Sequence, residues 1–130
     1  MVLGALQQRF DFVARQPFDD QAVYLQVTRG VAKRAHAFPR GARPTVFMMS
    51  NPLPLPSREQ VERGVAAVTA DDNRWHRCDL KTTSLLGNVL MRQRAADLGA
   101  LETVMFRDGF LTEASASNVL IVRGGTIVAP

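Results

Sequence analysis

Lys81 is one of only two lysines in this 130-residue chain, whose other cationic side chains are arginines. A primary amine is the protein group that readily condenses with an aldehyde to form a Schiff base, so imine chemistry here must use Lys81 or Lys33. Lys81 has the richer surroundings, because it closes the stretch Trp75-His76-Arg77-Cys78-Asp79-Leu80 and precedes an apolar helical segment. Lys33 lies in a loop and is interpreted as a solvated charge. Lys81 is therefore the first candidate for a catalytic residue.

The segments around Lys81 predict a strand before it and a helix after it. Apolar pairs that repeat every four residues predict a helix over 84–98, with Gly99 at its carboxyl end. Upstream, residues 57–60 have the spacing of a capping box, which predicts a short helix, and 64–70 is predicted to be a strand. Lys81 is thus expected at the end of the connection that leads into the longer helix.

The first part of the chain contains helix and strand patterns of its own. Leucine, phenylalanine and valine at three- and four-residue spacing predict an amphipathic helix over 3–13. Residues 22–28 predict a strand, 31–43 a loop, and 45–49 a second strand that we expect to be buried on both faces.

Proline at alternate positions in 51–56 predicts an extended segment that does not join a sheet. We take this segment as a boundary. The predicted domains are 1–50, part of an N-terminal α/β domain, and 58–130, the first part of a cofactor-binding domain, joined by the linker 51–57.

The last third of the chain predicts three strands, over 102–107, 118–123 and 126–128, with turns at 107–109 and 124–125. With helices and strands on both sides of the linker, the fold class is α/β or α+β.

Composition excludes several classes of protein. The chain is 46% hydrophobic and 22% charged, which is typical of a globular domain. Its net charge of +4 comes from arginines scattered from Arg9 to Arg123, without the basic blocks and interleaved aromatic residues of nucleic-acid-binding proteins. No apolar stretch approaches the length of a membrane span, and the N-terminus lacks the pattern of a signal peptide. We therefore expect a cytoplasmic protein that binds neither nucleic acid nor membrane.

Other reactive side chains are weaker candidates. Cys78 is the only cysteine, which excludes an intramolecular disulfide, and without a nearby histidine we expect it to be a small buried residue rather than a nucleophile. His76 has no partner at metal-ligand spacing, so no metal site is predicted. Arg74 fits two interpretations equally, a group that orients the site near Lys81 and a structural ion pair.

Five segments, in order and spacing, resemble the class IV aminotransferases, the fold-type IV pyridoxal-phosphate enzymes. Within that family they are most similar to the D-amino acid (D-alanine) aminotransferases. These segments are Tyr24-Leu25-Gln26-Val27-Thr28-Arg29-Gly30, Arg34-Ala35-His36-Ala37-Phe38-Pro39, Arg74-Trp75 with Asp79-Leu80-Lys81, Leu85-Leu86-Gly87-Asn88, and Asp108-Gly109-Phe110-Leu111-Thr112-Glu113-Ala114-Ser115-Ala116-Ser117-Asn118. The resemblance implies a two-domain fold of which this chain is a part, incomplete at both ends.

The resemblance also implies roles for two residues toward pyridoxal 5'-phosphate. Lys81 would form the Schiff base with the cofactor and shuttle a proton during the reaction. Glu113 would pair with the pyridine nitrogen and keep it protonated, so that the ring accepts electrons. Where close relatives often have three hydroxyl residues before the asparagine, Ala116 stands in the middle.

Arg34 and His36 match the pair that grips the substrate α-carboxylate in D-amino acid aminotransferases, reaching in from the neighbouring subunit. An arginine fork suits a carboxylate, and a histidine adds a donor. The resemblance therefore implies a homodimer that moves an amino group from a D-amino acid, in the first instance D-alanine, to a 2-oxo acid.

Three alternatives remain open. Aminodeoxychorismate lyases and branched-chain aminotransferases share the lysine, although they tend not to carry the Arg34/His36 pair. The third is a catalytically inactive fragment that acts only in binding or oligomerisation, since most of the family's phosphate-binding elements lie outside the segments matched here.

Overall fold

A computed structural model describes residues 11–130, and the chain divides into two compact units between Pro56 and Ser57. Most of the helix predicted over 3–13 lies outside the described residues, and 11–14 are helical. None of the described helices is long and apolar enough to cross a membrane.

The first unit is built on a two-stranded antiparallel ribbon. Strand β1, Gln21–Thr28, pairs with β2, Thr45–Pro52, along their full lengths. The β-branched and aromatic residues that predicted these strands meet across the ribbon, where the rings of Tyr24 and Phe47 pack edge to face at 6.3 Å. Both predicted strands are confirmed, and the segment between them is a loop.

Two expectations about β2 are wrong. The strand is not buried on both faces, because among residues 11–130 it pairs only with β1, and Phe47 remains 51% exposed. Pro52, expected outside any sheet, ends β2 opposite Gln21. A proline is tolerated at the end of an edge strand, where its missing N–H removes no bond from the ladder.

The second unit begins with helix α1, Arg58–Arg63, which the capping box starts as predicted. The Ser57 hydroxyl accepts from the Gln60 amide at 3.2 Å, and the Gln60 side chain accepts from the Ser57 amide at 2.8 Å. The strand predicted over 64–70 is shorter and later, because Gly64 ends α1 with a positive φ of 77°.

A three-stranded sheet in the order β3-β4-β5 forms the centre of this unit. Its parallel strands β3, Ala67–Asp71, and β4, Glu102–Arg107, are joined through helix α2, Leu86–Asp97. A parallel pair needs such a crossover, and the four-residue periodicity predicted the helix that supplies it. The predicted bounds of this helix, 84 and 98, differ from the observed bounds, Leu86 and Asp97, by two residues and one residue.

Strand β5, Phe110–Ala114, pairs antiparallel with β4. The strand predictions missed it, because Thr112 and Glu113 interrupt its apolar residues with two adjacent polar ones. The predicted turn at 107–109 does form, with Asp108 and Gly109 at φ 53° and 81°, values typical of a tight hairpin.

A separate hairpin ends the described chain. Its strands are β6, Ile121–Arg123, and β7, Thr126–Val128, joined at Gly124-Gly125. The predicted turn and last strand are confirmed, whereas 118–120 of the predicted strand 118–123 are not in a strand.

The core lies between α2 and the sheet. Ala95, Thr103 and Met105 are fully buried, and Ala114 is 2% exposed. The Thr103 hydroxyl donates to the Met91 carbonyl of α2 at 2.7 Å. This packing fixes α2 against β4, so that the residues at the start of α2 and the end of β5 face one cleft.

Candidate active site

The second unit contains an open cleft of about 810 Å³ between the start of α2 and the end of β5. Its wall brings together two predicted site residues, Lys81 and Glu113, with Arg74. Asn88, Arg92, Gln93 and the segment 114–118 also line it. An amine, a carboxylate and a guanidinium therefore face one space.

Lys81 lies in the connection between β3 and α2 and is exposed. Local hydrogen bonds shape the turn before it: the Leu80 amide donates to the Arg77 carbonyl at 3.1 Å, and the Cys78 thiol donates to the Trp75 carbonyl at 3.0 Å. Cys78 is exposed, so the expectation of a buried role is wrong. The thiol instead bonds to the backbone of a surface turn.

Glu113 lies in β5, the strand that the sequence patterns did not predict. The β4–β5 register shifts beside it: Glu113 pairs with Met105 and Leu111 with Phe106, which leaves Thr112 as an extra residue. Such a β-bulge bends the strand and re-aims neighbouring side chains. The bulge lets Thr112 bond to the network described below while Glu113 lines the cleft.

Two side chains fix the turn that follows Glu113. The Glu102 carboxylate accepts from the hydroxyl and amide of Ser115 and from the Ala116 amide, and the Asn88 side chain donates to the Ser115 carbonyl at 2.9 Å. Burial would raise the pKa of Glu102, but hydrogen bonds from Ser115, Ser117 and backbone amides lower it below its usual value. Glu102 therefore stays ionised and holds this part of the cleft wall.

A buried ion network lies behind the cleft, centred on Asp72, whose side chain is 1% exposed. Its two oxygens accept from Nε and Nη2 of Arg74, each at 2.9 Å, and from the Arg74 amide at 3.1 Å. Arg107 approaches Asp72 Oδ2 at 3.2 Å, and the Thr112 hydroxyl donates to it at 2.8 Å. The hydrogen bonds from Arg74, more than any other cause, hold the pKa of Asp72 well below its usual range.

Sequence reasoning missed Asp72, Glu102 and Asn88. For Arg74 it left two interpretations open, and the structure gives both an ion pair and a place in the cleft wall. A signal for Asp72 existed: an acid two residues before an arginine at the end of a predicted strand. Nothing in the sequence indicated that Thr112, 40 positions later, would complete the network.

The Asp72 network predicts a stability that depends on pH. A carboxylate whose pKa is lowered by folding contributes stability above its unfolded pKa of about 4 and loses it as the pH falls toward the folded value. We expect the free energy of unfolding to fall below pH 4 by less in Asp72→Asn than in the wild type. Urea unfolding of the complete gene product between pH 5 and 2.5 measures this difference.

The matched control is Asp97→Asn, which removes an exposed carboxylate at the end of α2 and should keep the wild-type pH dependence. An Asp72→Asn curve parallel to that of the wild type at all pH values would contradict the prediction.

Arg34 and His36 belong to the first unit, in the loop between β1 and β2, and both are exposed. The base of this loop is tight: Gly30 has φ 100°, and a Cβ at this position would lie 1.8 Å from the Arg43 carbonyl oxygen. The Arg29 guanidinium stacks 3.6 Å from the centre of the Phe38 ring. The two ends of the loop therefore lie close together, and Arg34 and His36 are exposed between them.

Comparisons with known proteins relate this chain to one family. The sequence profile of the family described as amino-transferase class IV matches residues 6–130. A D-alanine aminotransferase of Bacillus licheniformis is 44% identical over 108 residues, which is 83% of this chain and 38% of the relative.

Among solved structures, a hypothetical aminotransferase from Mycobacterium tuberculosis, with α-ketoglutarate and PMP bound, superposes with a TM-score of 0.69 at 28% identity. The match covers 95% of this chain and 44% of that one. A putative 4-amino-4-deoxychorismate lyase from Legionella pneumophila shares the fold, with a TM-score of 0.74 at 16% identity over 98% of this chain and 46% of that one.

The chain belongs to the class IV aminotransferases, a family of pyridoxal-phosphate-dependent enzymes. It spans about 38% of the length of the curated relatives that it matches. The mixed α/β fold expected from the sequence is confirmed.

The residues of the cleft fit pyridoxal phosphate by their chemistry. Lys81 offers an amine for an aldehyde, Glu113 an acceptor for a protonated ring nitrogen, and Ser117 a hydroxyl for polar substituents. The cleft also has room for a small aromatic ring, since ligand pockets commonly measure about 300–1,000 Å³.

Proposed function

We propose that the protein is a pyridoxal-phosphate-dependent aminotransferase that moves the amino group of a D-amino acid, D-alanine in the first instance, to a 2-oxo acid. The observation that carries the proposal is the shared cleft of Lys81 and Glu113 in a class IV chain. The names of similar relatives support the substrate class, since two D-alanine aminotransferases are 44% and 40% identical to it.

Lys81 would attach the cofactor and move the proton. When bound, pyridoxal phosphate supplies an aldehyde carbon for amine exchange and an electron-accepting pyridine ring. Nζ of Lys81 would hold the cofactor at its aldehyde carbon and, once released, would take the proton from the substrate α-carbon and carry it toward the former aldehyde carbon. Its exposure on the cleft wall leaves room for this movement.

Glu113 would hold the proton on the ring nitrogen. The bulge at Thr112 and the fixed turn at Ser115 set its position from both sides. A carboxylate held in this way would make a charge-assisted hydrogen bond to the nitrogen and would stabilise the positive charge on which electron withdrawal depends.

Arg34 and His36 would bind the substrate α-carboxylate, in a homodimer whose subunits exchange these loops. The loop is closed at its base, and neither side chain takes part in an ion pair among residues 11–130. An exposed arginine fork beside a histidine has the donors that a carboxylate needs.

Arg34→Ala should lower kcat/KM for D-alanine by roughly 10- to 150-fold, because a charge-assisted contact of about 1.5–3 kcal/mol is lost. Cofactor absorbance should remain, since the residue does not touch the cofactor. Arg40→Ala, an exposed arginine of the same loop, is the matched control and should keep wild-type kinetics. Equal losses in both variants would contradict a specific carboxylate site at Arg34.

A mixed dimer tests the exchange between subunits. Arg34→Ala and Lys81→Ala chains, each inactive or weak alone, should together form one working site per dimer. No recovery would contradict the shared site.

Turnover assays with other substrates separate the alternatives. Turnover of L-valine that does not depend on Arg34 would favour a branched-chain aminotransferase, and pyruvate formed from aminodeoxychorismate would favour a lyase, whose fold this chain shares. Absence of both turnover and cofactor binding in the complete gene product would favour a binding or oligomerising role.

A further inference from the structure

The strongest unassigned group in the second unit is the buried carboxylate of Asp72. Both of its oxygens accept hydrogen bonds from the Arg74 guanidinium. This bidentate geometry is the one in which arginine binds carboxylates most strongly. Buried charges are expensive unless they are paired, so this pair forms a fixed part of the structure. The Arg74 side chain is itself only 11% exposed.

Asp72 also joins the two segments that form the cleft. Arg74 precedes Lys81 in the β3–α2 connection, and Thr112, which donates to Asp72, precedes Glu113 in β5. Gly87 of α2 lies so close that a Cβ there would be 3.1 Å from Arg74 Cγ. The Arg74 side chain is thus confined by Asp72 on one side and by the start of α2 on another.

Arg74 and Glu113 have opposite charges and line the same cleft, but they form no ion pair within 4 Å. The hydrogen bond to Asp72 is the main cause that raises the pKa of Arg74, and attraction to Glu113 adds to it. Among the described residues that line the cleft, Glu113 is the sole acid. An Arg74 side chain released from Asp72 would therefore have Glu113 as its next carboxylate.

We propose that Asp72 is a positioning residue that holds Arg74 away from Glu113 and so keeps the Glu113 carboxylate available for the cofactor ring nitrogen. The inference rests on the proposed function. An arginine fork would occupy both oxygens of Glu113, which would remove the acceptor and weaken the charge that stabilises the protonated ring.

The test compares Asp72→Asn, Arg74→Met and the double variant in the complete gene product, with pyridoxal phosphate labelled with ¹⁵N in its ring as the probe. In Asp72→Asn we expect the ring-nitrogen signal to shift toward the unprotonated form and the Kd for the cofactor to rise by roughly 10-fold. A crystal structure of this variant should place an Arg74 nitrogen within hydrogen-bond distance of Glu113.

The double variant decides between positioning and simple structural support. If Arg74 displaces the cofactor nitrogen from Glu113, Asp72→Asn/Arg74→Met should regain the protonated signal, although the lost ion pair still lowers its melting temperature. A double variant as defective as Asp72→Asn would overturn the inference.

Further variants cover the case in which Asp72→Asn does not fold. Asp72→Glu keeps the charge and should retain the protonated signal, and Arg74→Met alone should retain it too. Loss of the signal in Arg74→Met would overturn the inference, because Arg74 would then support Glu113 instead of competing for it. A wild-type protein that binds no pyridoxal phosphate would overturn the proposed function and this inference together, whereas normal wild-type binding without rescue would overturn the inference alone.

Discussion

Lys81→Ala should abolish the borohydride-reducible linkage to pyridoxal phosphate and lower turnover of D-alanine by roughly 10⁴-fold, the upper range for loss of a proton-transferring group. Alanine has neither a nucleophile for the aldehyde carbon nor a base for the substrate proton. Both losses have the same cause, which is the removal of Nζ of Lys81. Reduction with borohydride followed by peptide mapping and steady-state assays measures both effects.

Lys33→Ala is the matched control, because it removes the only other lysine of the chain. Lys33 is exposed and has no role in the proposed site, so this variant should keep the label on Lys81 and the wild-type rate. Label on Lys33 in the wild-type protein, with none on Lys81, would contradict the proposed role.

Glu113→Gln should lower kcat by roughly 10²- to 10³-fold, which corresponds to an increase of about 3–4 kcal/mol in the activation free energy. Removal of one group that stabilises charge in the transition state commonly has an effect of this size. The amide has nearly the same shape, but it cannot balance a protonated ring nitrogen, so electron withdrawal by the ring weakens. The covalent label on Lys81 should remain. Single-turnover kinetics together with borohydride labelling separate the two effects.

Glu59→Gln is the control for this variant, since Glu59 is an exposed residue of α1 that pairs with Arg63 on the same helix. A surface pair of this kind contributes little, and the variant should behave as the wild type. Unchanged turnover in Glu113→Gln would show that the ring nitrogen depends on another group.

Several elements could be predicted from the sequence because their signals are local. The capping box at Ser57 and Gln60, the four-residue periodicity of α2 and the turn at Asp108-Gly109 each depend on residues a few positions apart. The hairpin at Gly124-Gly125 belongs to the same class. These signals depend on backbone conformation and on hydrogen bonds between residues that are close in the sequence, so the local sequence is enough to predict them.

Burial was predicted less well. The apolar segment of β2 suggested a strand covered on both sides, yet in the described first unit it pairs only with β1. Cys78 was expected inside and lies at the surface. Hydrophobicity indicates that a side chain favours burial, but whether another element covers it depends on contacts distant in the sequence.

The sequence by itself determined the chemistry that this chain can attempt: one well-placed lysine, Lys81, and an acid, Glu113, in motifs of a recognisable family. Only the tertiary structure decided that these two line one cleft, and that Asp72 and Glu102 stand behind its walls. The physical reason is that Asp72 meets Thr112 across 40 residues, through the parallel β3–β4 pair and a bulge in β5. A register shift of one residue leaves almost no trace in the sequence, but it decides which side chain faces the site.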